Sequence, residues 1–342
     1  MTHRSNTLII AEAGVNHNGD MRLAYQLIDA AVNAGVDIVK FQTFKTEQLV
    51  NKEAKKAAYQ IANTGDSQNS QFEMLKQLEL TEAQHYELAA YCSKRGIQFW
   101  STAFDIDSVR FLRTMGITLG KIPSGEITNL PYLQVMAQSF EHLIVSTGMC
   151  TIDEVEAAIE ALTQAGALRQ NITILHCTTE YPAPLDDVHL HAMKAMGVYF
   201  NMPYGYSDHT EGIAVPIAAV ALGATVIEKH FTLDKSLPGP DHKASLEPDE
   251  LKAMVAGIRT VEKALGNETK QPSQAELRNR LVARKSICVN KDLPQGTVLN
   301  LSDVTMLRPG TGISPMELPK VVGKQLKVGT VAGTPLQWEM LN

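Results

Sequence analysis

Short apolar runs alternate with amphipathic stretches along the first 231 residues. Eight runs stand out: LIIAEAG (8–14), DIVKFQT (37–43), QFWSTAF (98–104), LGKIPSGE (119–126), LIVSTG (143–148), ITILHCTT (172–179), GYSDHT (205–210) and TVIEKHF (225–231). Runs this short, rich in β-branched residues, predict strands buried on both faces. A helical pattern lies between most of them. In MRLAYQLIDAAVNAG, apolar Leu23, Leu27, Ala30, Ala31 and Ala34 share one face, and Gly35 stops the helix. Thr81 with Gln84 and Thr151 with Glu154 read as capping boxes, and Pro248 opens a helix that runs to about Gly266. Eight strand-then-helix units in a row predict an α/β fold, a closed parallel (β/α)8 TIM barrel.

The pattern breaks twice. Between Lys45 and about Gln71 the chain is long and polar, and reads either as a lid over the barrel mouth or as a hydrated excursion with some helix. Near residue 267 the periodicity stops, which places the barrel at 1–266, a polar linker at 267–282 and a compact tail at 283–342. The pieces KSICV, GTVLN and KVGT, set among glycines and prolines, predict a small β-rich domain there.

Composition narrows the classes. The 342 residues exceed a barrel of roughly 250, which agrees with a second domain. A formal net charge of −6 argues against a nucleic-acid or anionic-membrane surface. No apolar run approaches the ~18 residues of a membrane span, and the N-terminal stretch is too short for a signal peptide. Cys92, Cys150, Cys177 and Cys288 are scattered without a CxxC, as in a reduced cytoplasmic protein. Cys177, inside an apolar run, is expected to be inert core packing.

A barrel puts its chemistry at the C-terminal ends of its strands. Those ends carry Glu12, Lys40, Gln42, Thr102, Lys121, Ser124, Glu126, Ser146, Thr178, Ser207, His209, Glu228 and His230. His209 and His230 close consecutive strands ~4.8 Å apart, so both rings can reach one divalent ion and leave it open positions. Glu228 shares a face with His230 and is a candidate third ligand, general base or hydroxyl acceptor. Ser207 stands in the same relation to His209. Lys229 should point the other way and form a structural ion pair. His3, His85, His142, His189 and His191 carry no functional claim. Lys40 and Lys121 converge, so an anion such as phosphate or carboxylate lies between them, or they form bridges with Glu12 and Glu126. A Schiff-base lysine is unnecessary beside a metal site. GVNHNG fits no nucleotide-binding loop.

At this point the residues match a family. EAGVNHNG (12–19), VKFQTFK (39–45), KIPSGEITNLPYL (121–133), STGM (146–149), LHCTTEYPAP (175–184), YSDHT (206–210) and IEKHFTLDKSLPGPDHKAS (227–245) resemble the sialic acid synthases. ARKSI (283–287) and RPGTGISP (308–315) resemble their C-terminal antifreeze-like, or SAF, domain. The resemblance implies condensation of phosphoenolpyruvate with an open-chain N-acetylmannosamine-type sugar, with release of phosphate. It implies a divalent ion, usually Mn²⁺ with Mg²⁺ or Co²⁺ as alternatives, on His209 and His230. Lys40 and Lys121 then anchor phosphoenolpyruvate, with Gln42, Thr102, Ser124, Ser146 and Ser207 as hydrogen-bond donors, and Thr179 is a further substrate-binding residue. Glu12 sits near the reacting carbon or the attacking water, and Glu228 is the favoured base, though the sequence does not separate the two. Glu126, Tyr181 and Asp241 contact sugar hydroxyls. The resemblance also implies a domain-swapped homodimer in which Arg308 lies over the partner's barrel mouth.

One departure bears on the sugar. Some relatives carry asparagine where HCTTEYP has Thr178 and Thr179. LIIAEAGVNHNG, SGEITN and CTTEYPAP look more like legionaminic acid synthases, which take 2,4-diacetamido-2,4,6-trideoxymannose, than like N-acetylneuraminic ones. The rival readings are a metal-dependent pyruvate aldolase, an eight-carbon sugar-phosphate synthase, and a carbohydrate- or ice-binding protein whose tail is the working part.

Overall fold

A computed structural model describes residues 6–65 and 69–342, so His3 lies outside the described residues. The chain divides into two compact units between Gly266 and Asn267. In the first, strands β1 Leu8–Gly14, β2 Ile38–Thr43, β3 Gln98–Ala103, β4 Leu119–Ile122, β5 His142–Ser146, β6 Ile172–Cys177, β7 Tyr204–Asp208 and β8 Val226–His230 run parallel in the order 3-2-1-8-7-6-5-4. Each falls inside or within a residue of its predicted run. No ladder joins β3 to β4 among the described residues. There the indole N–H of Trp100 donates to the Leu119 carbonyl, closing the ring with a side chain.

Helices α1 Met21–Ala34, α2 Thr46–Leu49, α3 Ala58–Thr64, α4 Gln71–Leu78 and α5 Glu82–Arg95 follow β1 and β2. Then come α6 Ile106–Thr114, α7 Leu130–Ser139, α8 Ile152–Gln164, α9 Leu190–Phe200, α10 Ala214–Ala221 and α11 Pro248–Leu265. Gly35 caps α1 in the left-handed region at φ 78°, Thr81 and Thr151 make the expected capping boxes, and Pro248 sits in the first turn of α11. Apolar faces such as Leu27, Ile28 and Ala31 of α1 bury against the outer faces of the strands.

Strand alternation does the rest. Toward the barrel axis, Ile10, Ile38, Trp100, Ile144, Leu175 and Val226 form an apolar floor. One pleat further along, the same faces present Glu12, Lys40, Thr102, Ser146, Cys177 and Glu228, all nearly inaccessible to solvent. The floor excludes water from below and makes the layer above it a low-dielectric cup.

The polar excursion holds α2, α3 and α4. Its α3 docks beside the mouth. Asn63 Nδ2 donates to the Tyr181 and Pro240 carbonyls at 3.1 and 2.7 Å, and Tyr59 stacks on Tyr181 with ring centres 5.1 Å apart. The excursion is thus both partly helical and seated on the loops around the opening.

In the second unit β9 Ser286–Val289 pairs antiparallel with β10 Val304–Leu307 over a core of Ile287, Val289, Leu299, Leu326 and Leu336. KSICV supplies β9. GTVLN and KVGT instead contribute single bridges, Val298 to Gln325 and Leu293 to Thr330. Gly296 sits in a turn and Thr330 forms an isolated bridge, so hydrogen bonds cross there but no ladder extends. The segment expected as a linker contains a helix, α12 Gln274–Ala283, started by Ser273 and Glu276 as a capping box.

Candidate active site

The strand ends converge on a cavity of about 170 Å³. Parallel register sets who meets whom. Glu12 lies beside Lys40 on β2 and His230 on β8, Gln42 beside Thr102, and Ser207 beside Glu228. β1 is irregular between Glu12 and Gly14, where Gly14 takes φ 52°. A side chain on Gly14 would lie 3.3–3.4 Å from His230, Gln42 and Glu12, so glycine both permits the turn and leaves room for three working groups.

Two lysines and two glutamates form the cup's ionic network. Lys40 Nζ lies 2.6 Å from Glu12 Oε2 and 3.4 Å from Glu228 Oε2, and donates to Thr102 Oγ1 at 2.7 Å. Lys121 Nζ donates to Glu228 Oε1 at 2.9 Å, and Ser207 Oγ donates to the same oxygen at 2.9 Å. The bridge alternative therefore holds with one change: Lys121 pairs with Glu228, not Glu126, because Glu126 lies beyond β4 in the turn Ser124–Glu126, bonded to Asn129. Burial favours the neutral form of both network glutamates, but the outcome differs. Lys121 and Lys40 outweigh burial at Glu228 and hold it well below the usual carboxylate range. At Glu12 burial wins over Lys40, and the carboxyl is raised. At Lys40 burial is outweighed by Glu12 and Glu228, so the ammonium is held charged. Ser146 Oγ, buried in the same wall, has no hydrogen-bond partner among the described residues. A buried hydroxyl left this way costs free energy unless a ligand satisfies it.

His209 and His230 face the cavity with ring centres 5.5 Å apart. His209 Nδ1 bonds the Thr178 carbonyl at 2.6 Å, so that nitrogen carries the proton and Nε2 keeps its lone pair. Burial lowers His209 to about 4 and His230 well below its ordinary value, so both rings are neutral. His230 Nδ1 is buried without a partner among the described residues. These features suit metal ligation. Among the described residues no three His, Cys, Asp or Glu side chains are placed to hold one metal ion together, so Glu228 does not join the two rings as a third ligand. The Tyr181 ring packs on His209 with centres 4.1 Å apart and planes tilted by 31°.

Most of the expected site residues line this one cavity: Glu12, Lys40, Gln42, Thr102, Lys121, Ser124, Ser146, Thr179, Tyr181, Ser207, His209, Glu228 and His230. Glu126 and Asp241 are not among its lining. Asp241 sits in the loop between β8 and α11, and burial pushes its carboxyl up to about 7. Arg308 lies in the second unit, exposed, directly after β10. Lys229 points away, as expected, into an ion pair with Asp208. Cys177 needs correction. It is buried in β6, but it also lines the cavity with its thiol 3.2 Å from Ser124 Oγ. The two-residue period from Leu175 carried that signal. Phe104, Pro123, Gly125 and Met149 also line the cavity. They lie just past strand ends, where apolar residues and glycine gave no chemical cue.

The sequence profile of the NeuB family matches residues 27–270, and that of the SAF domain matches residues 284–342. The chain is 51% identical to the N,N'-diacetyllegionaminic acid synthase of Legionella pneumophila, over 97% of this chain and 93% of that one. It is also 51% identical to the N,N'-diacetyllegionaminic acid synthase of Campylobacter jejuni, over 93% and 95%. Among solved structures, an N-acetylneuraminic acid synthetase from Leptospira borgpetersenii, in complex with citrate, superposes with a TM-score of 0.70 at 32% identity, covering 80% of this chain and 90% of that one. The chain belongs to the NeuB family and carries a SAF domain at its C-terminal end.

Proposed function

We propose that this chain is a phosphoenolpyruvate-dependent nonulosonic acid synthase whose acceptor is 2,4-diacetamido-2,4,6-trideoxymannose, giving N,N'-diacetyllegionaminate. The observation that carries it is 51% identity, over more than nine-tenths of each chain, to two N,N'-diacetyllegionaminic acid synthases. The cup supports it. Its lysines, the Ser146 hydroxyl that has no partner among the described residues, and Ser124 and Thr102 on the same lining fit a small donor with two anionic groups above an apolar floor.

In the reaction, C3 of phosphoenolpyruvate bonds to the aldehyde carbon and the aldehyde oxygen gains a proton. Water adds to C2 and loses a proton, and the C–O bond to phosphate breaks. Lys40 and Lys121 hold the donor's anionic groups. Glu228, gripped by both lysines and Ser207, is a fixed anion that aims them. Glu12 meets one lysine and a distant Gln42 amide at 3.4 Å. It is the freer carboxylate, and is assigned to receive the water's proton. His209 and His230 would hold a divalent ion, Mn²⁺ first, which when bound supplies a Lewis acid for the aldehyde. Tyr181, packed on His209, and Asp241 in the adjoining loop form the sugar's side of the mouth. The dimer with Arg308 reaching a partner's site belongs to the same reading. So does a cytoplasmic setting, which suits four free thiols.

The test uses phosphoenolpyruvate labelled with ¹⁸O in the bridging oxygen. The label is expected in inorganic phosphate. Its retention in the organic acid would contradict C–O cleavage, and the absence of phosphate would favour an aldolase. Chelation should abolish turnover and Mn²⁺ restore it, whereas full activity in chelator would remove the metal assignment.

A further inference from the structure

Directly behind the two histidines lies a charged pair that none of the steps above uses. Asp208 and Lys229 are register partners at the ends of β7 and β8. Both side chains are fully buried, with Lys229 Nζ 2.7 Å from Asp208 Oδ2. Lys229 also donates to the Thr210 carbonyl, and Thr210 N–H donates to Asp208 Oδ1 at 2.9 Å. The knot therefore joins the residue before His209, the residue after it, and the residue before His230. Strand alternation sends this pair outward while Ser207 and Glu228 face the cavity.

The strand neighbours are apolar, with Glu250 and Lys235 the further charges that act on Lys229. Tyr206, Ile227 and Phe231 on these strands are buried and belong to the apolar layer beneath the helices. A well-packed apolar pair replaces a buried ion pair with little loss of stability in many proteins. An apolar pair, however, cannot bind the Thr210 carbonyl across the strand gap. That bond fixes the backbone on the far side of His209, while the Thr178 carbonyl fixes its ring. His230 is fixed in turn through its carbonyl, which accepts from Leu246 N–H at 2.9 Å.

We propose that Asp208 and Lys229 are positioning residues that set the spacing and orientation of His209 and His230 from outside the barrel. The proposal rests on reading those histidines as metal ligands. Groups hydrogen-bonded directly to a ligating ring change metal affinity by about 10–100-fold, and a knot that acts one step further out, through the backbone, belongs at the low end of that range.

The test is the double substitution Asp208→Leu with Lys229→Met in the full chain. CoCl2 is titrated into the protein and followed by visible absorbance, alongside denaturant unfolding and ¹⁵N spectra of the histidine rings. The expected result is a folded protein with a lowered denaturation midpoint, because Thr210 loses both of its partners, together with a Co²⁺ Kd raised about tenfold and displaced or broadened His209 and His230 ring signals. A folded double variant that binds Co²⁺ within twofold of wild type, with unchanged ring signals, overturns the proposal. Should the double variant fail to fold, Asp208→Asn keeps the size and one acceptor oxygen. A severalfold weaker Co²⁺ affinity is expected for it, and an unchanged affinity overturns the proposal. If wild type binds no Co²⁺, the metal reading falls, and the ring spectra alone decide the positioning role: unchanged rings overturn it, displaced rings support it.

Discussion

At the scale of single residues, the cavity separates groups that stabilise the free protein from groups held ready for a ligand. Ser146 Oγ is of the second kind, buried and partnerless among the described residues. Ser146→Ala should stabilise the free protein by on the order of 1 kcal/mol, because it removes a buried hydroxyl that has no partner among the described residues, yet raise the phosphoenolpyruvate KM about tenfold or more. Steady-state kinetics with denaturant unfolding checks both halves. Lys121→Ala should raise the same KM by roughly 100-fold and the sugar KM less, since it removes a buried cation facing an anion. A normal phosphoenolpyruvate KM would make Lys121 only the partner of Glu228. Asp241 gives a pH prediction. Its carboxyl is raised from 3.8 to about 7 in the folded chain by burial. The folded state thus holds a proton that the unfolded state releases, and stability falls as pH rises from about 4 to about 7. Asp241→Asn should remove this fall, stabilising the protein at pH 8 by on the order of 2–4 kcal/mol and little at pH 4. Equal effects at both pH values would show that Asp241 ionises normally.

At the scale of elements, the strands were legible because burial on both faces writes itself as short β-branched runs, and because polar residues fall at the strand ends. The pairing within the cup was less so. Sequence places Glu126 two residues from Ser124, but β4 stops at Ile122 and the turn carries Glu126 to Asn129 instead. That leaves Lys121 to Glu228, more than 100 residues away, a contact only barrel closure creates. The excursion after β2 was ambiguous for a related reason. Its helices are short, and α3 gains its place from contacts that no local pattern records: Asn63 to two loop carbonyls, Lys243 Nζ to the Ala62 carbonyl at 3.0 Å, and the Tyr59–Tyr181 stack. On the proposed assignment of Tyr181 to the sugar, this docking gives α3 a share in the acceptor's side of the mouth. Tyr59→Ala should raise the sugar KM severalfold with the phosphoenolpyruvate KM unchanged, and Tyr59→Phe should behave as wild type, because the ring and not the hydroxyl makes the stack. Equal changes in both KM values for Tyr59→Ala would show a general loosening of the barrel.

For the whole molecule, the charged cup has a fold-level reason. Eight strands bring residues between Glu12 and His230 within one cavity, and the apolar floor beneath excludes water from their network. The small second unit was legible as a separate domain from the lost periodicity near residue 267, but its inner pairings were not, since single bridges leave no alternating pattern. The proposed dimer predicts complementation: mixing Arg308→Ala chains with His209→Ala chains should regenerate activity, because one site in each mixed dimer is intact. No rescue in a verified mixed dimer would place the arginine's action within its own chain or nowhere. The central claim, a phosphoenolpyruvate-dependent synthase for a diacetamido sugar, is tested most directly by phosphate release from phosphoenolpyruvate with each acceptor in turn. Release should be rapid with 2,4-diacetamido-2,4,6-trideoxymannose and lower in kcat/KM by at least about tenfold with N-acetylmannosamine, a gap of ~1.4 kcal/mol in transition-state binding. The opposite preference would contradict the assigned acceptor, and no release with either sugar in the presence of Mn²⁺ would contradict the synthase itself.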